Sequence, residues 1–334
     1  MPEAHSPPQS HTPRPPEMVH ECRSMQDMWR LVKLYAPLPR EILIIGETGV
    51  GKGLVARWIH HLSGRSGDFV VVTGGSMSES LYQSQLFGHL QGAFTDAKMA
   101  RKGAFEQAAG GTLFLDELPL WPKTVQSGLL RAISDRAIRP LGAQREIPIS
   151  CRVLFASTRS LDAMVLDSTL LPDLRWRVPF FEIRIPPLKD RQADILRLAH
   201  YFLEAAATDF ACTRVTGFCA ESYAALLGHQ WPGNVRELRG VVERAVAHAG
   251  ADCDDLVRPH HLPKQLTGAR KPLTSLDRTT IQAAVAWALK HTGGHRSAAA
   301  SLLGIHRNTV TRRAQRRANV DGQGDAVHSG FDPT

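Results

Sequence analysis

No stretch of the 334-residue chain approaches the roughly 20 consecutive apolar residues that cross a bilayer, so a membrane-spanning helix is excluded. The N-terminus has no basic segment followed by an apolar one, which excludes a secretory leader and makes a cytoplasmic chain the expectation. Cysteine is sparse. Cys22, Cys151, Cys212, Cys219 and Cys253 are scattered, odd in number and never spaced C-x-x-C, which fits reduced thiols and excludes a disulfide framework or zinc cluster. The 15 histidines do not change this, because the pairs His60–His61 and His260–His261 are adjacent, not three or four residues apart on a helix. No internal repeat is visible. Acidic residues are absent from 278 to 319, where Lys290, Arg296, Arg307, Arg312, Arg313, Arg316 and Arg317 are all basic. In a chain of net charge +8, a cationic block at one end points to an anionic polymer as partner.

What is present is material for a sizeable core, since 43% of the residues are hydrophobic. Proline-rich residues 1–17 read as a disordered tail. Met25, Met28, Trp29, Val32 and Tyr35 have the three–four spacing of an amphipathic helix over 24–35. Strands are expected at 42–45, 69–73, 111–116, 151–157 and 181–185, with helices at 53–62, 122–134 and 190–209. This alternation predicts an α/β domain over 18–187, a parallel sheet flanked by helices. A small all-helical lid is expected over 188–250, a linker rich in Pro, His and Gly over 251–273, a compact helical unit over 274–320 and a second tail over 321–334.

The apolar run Ile42–Ile45 leads into Gly46-Glu47-Thr48-Gly49-Val50-Gly51-Lys52-Gly53. Glycines at these positions let backbone N–H groups turn inward on phosphate oxygens, the lysine places a cation there, and a helix begins directly after. The pattern G-x-x-x-x-G-K is complete and marks a nucleoside-triphosphate site, although Gly53 stands where a hydroxyl residue usually helps hold magnesium. Some 60 residues further on, the apolar strand Leu113-Phe114-Leu115 ends in Asp116 and Glu117. Asp116 is suited to hold the hydration shell of Mg2+, and Glu117 to polarise a water for attack on the γ-phosphate of ATP.

Three further segments accompany these: Leu86-Phe87-Gly88-His89 with Gly92-Ala93-Phe94-Thr95-Asp96-Ala97, then Gly110-Gly111-Thr112 before the strand, then Trp231-Pro232-Gly233-Asn234-Val235-Arg236-Glu237-Leu238. With them the chain resembles, from about residue 20 to 318, the AAA+ activators of sigma-54 RNA polymerase, or bacterial enhancer-binding proteins. The resemblance implies a ring, usually a hexamer, with ATP between subunits and a cycle that opens the polymerase–promoter complex. It assigns phosphate binding to the loop around Lys52, γ-phosphate sensing to Arg236 and sigma-54 contact to Gly92–Ala97, with Phe94 and Thr95 foremost. At the C-terminus, Arg296–Ile305 and the segment from His306 form a helix-turn-helix pattern similar to the Fis type. Arg307, Asn308 and Thr311 are candidates for base edges of double-stranded DNA, and Arg296, Arg312, Arg313 and Arg316 complete the expected DNA-binding set. Too few residues precede the phosphate loop for a receiver domain, so control by a regulatory protein acting in trans or by expression level is expected.

Departures from the family pattern set a second expectation. Asp96 replaces a glycine in the sigma-54 loop. Arg177 falls on one position where family members present an arginine to the neighbour's ATP, but Leu171 occupies the other, with Arg175 near by. Thr73 stands where an asparagine usually restrains the glutamate, and Thr158 where the sensor asparagine stands. These departures leave open a weak ATPase that acts on a different sigma factor, or a mixed ring with a paralogue supplying the missing arginine.

Overall fold

The computed structural model describes residues 14–75, 77–93, 97–177, 181–267 and 278–314. The chain divides into two compact units, Met1–Pro187 and Leu188–Thr334. Both expected tails lie outside the described residues, apart from 14–17 at the inner end of the first.

The first unit runs α1 (Arg23–Tyr35), β1 (Ile42–Ile45), α2 (Lys52–Leu62), β2 (Phe69–Thr73), α3 (Glu79–Phe87), α4 (Ala104–Gln107), β3 (Thr112–Asp116), α5 (Lys123–Asp135), β4 (Ala137–Ile138), β5 (Ile147–Pro148), β6 (Arg152–Ser157), α6 (Leu161–Leu166), α7 (Pro172–Arg177) and β7 (Glu182–Arg184). Five strands pair in parallel in the order β2-β3-β6-β1-β7. All five strands foreseen from the sequence are there, to within a residue or so at their ends. The short antiparallel hairpin β4–β5 was not foreseen; strands of two residues carry no periodic signal.

Strand alternation sorts the core into two layers. Leu43, Ile45, Leu113, Leu115, Val153 and Phe155 face one layer with Leu129 and Leu174 of the helices. Ile42, Ile44, Phe114, Leu154 and Ala156 face the other, with Met25, Met28 and Val32 of α1 and Val55 and Ile59 of α2. Each fully buried side chain of this size contributes about 1.5–3 kcal/mol, which is why these strands read as continuous apolar runs. The last carbonyls of helix α1 lie beyond its own ladder of hydrogen bonds. Instead Arg152, buried at the start of β6, donates from Nη2 to Tyr35 O at 2.9 Å, from Nη1 to Ala36 O at 2.6 Å and from Nε to Arg40 O at 2.7 Å. The guanidinium thus supplies donors to carbonyls at and just beyond the helix end. Burial lowers its pKa to about 10, still far above neutrality.

The second unit holds α8 (Gln192–Asp209), β8 (Gly217–Phe218), α9 (Ala220–Gly228), α10 (Asn234–Ala251), β9 (Leu256–Val257), α11 (Lys264–Thr267), α12 (Arg278–His291) and α13 (Arg296–Leu303), after which 307–314 are helical. It is helical apart from the two-residue parallel pair β8–β9. Within the stretch expected as a linker, residues 256–266 fold back: β9 pairs with β8, and Val257, His261, Leu262 and Leu266 are buried. Composition marked that stretch as a linker because prolines and glycines also serve in packed turns. Residues 268–273 of it lie outside the described residues. His200 of α8 is buried beside Tyr223, Trp287 and His291, with Nε2 at 2.6 Å from the Tyr223 hydroxyl. Burial above all, and then the nearby His291 and Arg197, lower its pKa to about 4.

Candidate functional site

Strand β1 ends in Gly46, whose N–H donates to Ser157 O at 3.1 Å and whose absent Cβ would lie 2.8 Å from Val50 Cγ2. No side chain fits there. Gly51 caps α2 with φ +109°, a conformation glycine adopts without strain. The turn between them brings Lys52, the first residue of α2, back over the strand end. Its ammonium donates to Gly46 O at 3.1 Å and to Glu117 Oε1 at 3.4 Å. Lys52 is buried, whereas Glu47 and Thr48 at the loop tip are exposed. Gly53 has open space where a Cβ would be, so its lack of a side chain is not a steric demand.

Two strands away in the sheet, β3 delivers Asp116 and Glu117. The peptide joining them is held on both edges: its carbonyl accepts from Gly74 N at 3.0 Å and Trp121 Nε1 at 2.9 Å, and its N–H donates to Asp116 Oδ1 at 2.9 Å. Glu117 has φ +54°, a left-handed conformation that a non-glycine residue keeps only when its surroundings impose it. Thr73 sits across from Asp116 in the β2–β3 register, and its carbonyl accepts from the Tyr82 hydroxyl at 3.3 Å. The partner that reaches the Glu117 carboxylate is Lys52. Thr158 follows β6 directly, where Ser157 pairs with Ile45 at the mouth of the glycine loop.

The arginines separate into different settings. Arg175 donates to Asp162 Oδ1 at 2.8 Å and lies over the Trp176 ring, so it is tied within its own subunit. Leu171 packs against the hydrophobic core. Arg177, at the end of α7, is exposed. Arg236 is exposed on the first turn of α10, which is built on a buried Trp231 and on Asn234, whose Oδ1 accepts from Leu188 N at 2.7 Å.

The loop assigned to sigma-54 contact follows α3 through His89. Its ring nitrogens lie 2.8 Å from Ser84 Oγ and 2.9 Å from Met99 O, and its backbone exchanges two hydrogen bonds with Arg101. Leu90 N donates to Leu141 O, so this loop and the β4–β5 hairpin share a base. Gly92 N donates to Ala97 O at 2.9 Å across the neck, with Ala93 beside it; Phe94, Thr95 and Asp96 lie outside the described residues. In the C-terminal helices, Arg296, Arg307, Asn308 and Arg312 are exposed. The Thr311 hydroxyl donates back to Arg307 O at 3.2 Å, and Arg313 Nη1 to Arg278 O at 3.3 Å. Gly304 turns between the two helices with φ +61°, and Ile305 and Val310 are buried beneath. Arg316 lies outside the described residues.

Sequence reading missed Trp121, Gln126 and Arg152. Each acts through bonds to backbone groups, and no local motif announces such partners. Asp252, His260 and His261 come together, yet His261 Nδ1 accepts from Arg258 N at 3.0 Å, which places its proton on Nε2, facing Asp252. That arrangement donates to a carboxylate; it does not offer a lone pair to a metal.

A glycine-rich loop at the end of a central parallel strand, with its lysine against carboxylates at the end of a second strand, defines a P-loop nucleoside triphosphatase. Models of known families match the chain in three blocks: the sigma-54 interaction domain over 18–184, the AAA+ ATPase lid domain over 189–278 and the bacterial regulatory protein, Fis family, over 283–316. The Psp operon transcriptional activator of Escherichia coli is 38% identical over 244 residues, 72% of this chain and 75% of that one. The nitrogen fixation protein AnfA of Azotobacter vinelandii is 35% identical over 311 residues, 91% of this chain but 58% of that protein, so the chain spans little more than half its length. NtrX from Brucella abortus in complex with ATP aligns with a TM-score of 0.69 and 28% identity, over 90% of this chain and 70% of that one. The chain belongs to the AAA+ sigma-54 interaction family.

Proposed function

We propose that this chain is an ATP-hydrolysing transcriptional activator, which binds upstream DNA through its C-terminal helices and drives sigma-54 RNA polymerase holoenzyme from closed to open complex. The observation that carries the reading is the Lys52–Glu117 contact at 3.4 Å, which joins the phosphate loop to the Asp116–Glu117 pair inside the block matched by the sigma-54 interaction domain. Lys52 is satisfied by Gly46 O, Glu47 O and Glu117. Phosphate oxygens offer it more charge, so binding of triphosphate draws the ammonium away and releases Glu117 to polarise water. Asp116 fits an Mg2+ ion held through water, because its Oδ1 is already fixed by one N–H and Gly53 adds no oxygen ligand. When bound, that ion neutralises charge on the β- and γ-phosphates. Thr158 borders the phosphate loop, Thr73 flanks Asp116, and Arg236 reads the γ-phosphate from the lid.

Arg177 completes the site of the next subunit in a homo-hexamer or a mixed ring, and the turnover cycle moves the Gly92–Ala97 loop on sigma-54. Arg307, Asn308 and Thr311 read bases, while Arg296, Arg312, Arg313 and Arg316 hold the backbone; a regulatory protein in trans sets activity. The test is open-complex formation on a sigma-54 promoter carrying an upstream site, by permanganate footprinting. Melting that requires hydrolysable ATP is expected, and its absence with every sigma-54 promoter bound by the protein sinks the proposal.

A second reading, a weak ATPase needing a paralogue, is favoured by one observation: Leu171 is packed into the core and Arg175 is tied to Asp162. It predicts slow turnover by the homomer and recovery on mixing. Normal family turnover by the homomer alone removes it.

A further inference from the structure

The side chain of Gln126, on α5, is fully buried, and its partners are all backbone. Nε2 donates to Trp121 O at 2.9 Å and to Thr169 O at 2.8 Å, and Oε1 accepts from Leu171 N at 2.9 Å. Two carbonyls and one N–H leave a single orientation for the amide, with both of its donors used. The chain of contacts continues at each end. On one side, Trp121 holds the carbonyl of the Asp116–Glu117 peptide through its indole N–H at 2.9 Å. On the other, Leu171 O accepts from Leu174 N at 3.0 Å and Arg175 N at 3.3 Å, the opening turn of α7, which ends at Arg177.

The Gln126–Trp121 bond is buried, the bonds to Thr169, Leu171 and Asp116 are partly buried, and Leu174 and Trp121 are themselves buried. Buried bonds of this kind fix register because a slip leaves a polar group unpaired in a poor solvent. The segment that presents Arg177 is therefore not merely packed against the sheet. It is hung from the turn that follows the two carboxylates.

We propose that Gln126 is a positioning residue that sets Arg177 for the neighbouring subunit's triphosphate in step with the chain's own Asp116–Glu117 turn. The inference rests on the reading in which ATP lies between subunits and Arg177 acts across the interface. Gln126 touches no nucleotide. Its effect falls on the neighbour's turnover, because displacement of a catalytic group by about 1 Å lowers rate on the order of a hundredfold.

Mixed rings of the full-length protein test this. Glu117→Gln subunits keep the arginine but lose their own hydrolysis, and Arg177→Ala subunits keep their carboxylates but offer no arginine. Mixing the two restores ATP turnover if Arg177 works in trans. Gln126→Met is then placed in one type at a time. In the Glu117→Gln subunits it is expected to lower the restored kcat at least ~10-fold with little change in the KM for ATP, whereas in the Arg177→Ala subunits the change stays within about 2-fold. Equal losses in both placements, or no loss in the first, overturn the proposal. If the two parent variants do not complement at all, it is the shared-site reading that fails. Gln126→Glu keeps an acceptor for Leu171 N–H with unchanged shape. Should Gln126→Met fail to fold, the same asymmetry is read with Gln126→Glu, and its absence is equally decisive.

Discussion

The two ends of the catalytic unit differ in how firmly they are built. At the end of β3, the peptide between Asp116 and Glu117 is fixed on both edges, and Glu117 is kept in a left-handed conformation. At the end of α7, Arg177 stands exposed beyond a buried Leu174, while Arg175 is engaged by Asp162. One end holds its groups by packing; the other offers a single long side chain outward. In the proposed function, a site whose water-activating half is rigid and whose charge-stabilising half is presented at the surface depends on assembly for the second half.

Removing either half is the largest perturbation. Glu117→Gln is expected to lower kcat for ATP by about 10³-fold, the range for loss of a positioned base. Arg177→Ala is expected to lower it by a similar factor, on the order of 10³. Steady-state phosphate release on the assembled protein measures both. An Arg177→Ala protein with unchanged kcat breaks the comparison, since the exposed end then contributes nothing.

A substitution at the opposite end of the central strand β6 asks whether the rigid end owes anything to global stability. Arg152→Met removes the donor to the Ala36 and Arg40 carbonyls and one of two donors to the Tyr35 carbonyl, and is expected to destabilise the first unit by roughly 2–4 kcal/mol. Urea unfolding measures this, and ATP turnover of the folded fraction should be nearly unchanged. A loss of less than about 0.5 kcal/mol contradicts the capping role.

The second unit supplies a pH test independent of both ends. His200 has a folded pKa of about 4, below its unfolded value near 6.5. Between those values the unfolded chain binds the extra proton, so His200 contributes stability that is lost as pH falls from about 6.5 towards 4, at up to about 1.4 kcal/mol per pH unit. The unfolding-energy difference between wild type and His200→Asn, followed across that range, should shrink with acidification. A constant difference rules this out.

The smallest effect is expected at Gly53. Open space surrounds the missing Cβ, so Gly53→Ser should stabilise the start of α2 by roughly 0.5 kcal/mol and lower the Mg2+ concentration that half-saturates ATP turnover. An unchanged magnesium requirement shows that Asp116 and water already suffice.

Much of this was legible without coordinates. Ile42–Lys52 and Leu113–Glu117 are continuous segments in which the strand, the turn and the reactive groups are neighbours in sequence, so local patterning reveals them. The boundaries of β2 at Phe69 and Thr73 followed from apolar residues between turn formers. Thr73 stands at the position of the restraining asparagine, and the contact the Glu117 carboxylate makes in the fold, with Lys52 65 residues away, has no local signal. Gln126 and Leu171 lie 45 residues apart, and Arg152 reaches back 112 to 117 residues to the end of α1. Such partners carry no shared spacing.

The sequence by itself thus determined which chemistry the chain carries: a triphosphate loop, two carboxylates after a buried strand, and a basic helix pair. Local physics suffices for these, because glycine conformational freedom, strand burial and charge clustering act over a few residues. The tertiary structure alone decided which groups hold the reactive ones in place: Lys52 on Glu117, Trp121 and Gln126 between the carboxylates and α7, and Arg152 beneath α1. Those choices depend on which unpaired backbone groups the folded sheet brings within hydrogen-bond reach, and the cost of leaving buried groups unpaired exists only once the chain has folded around them.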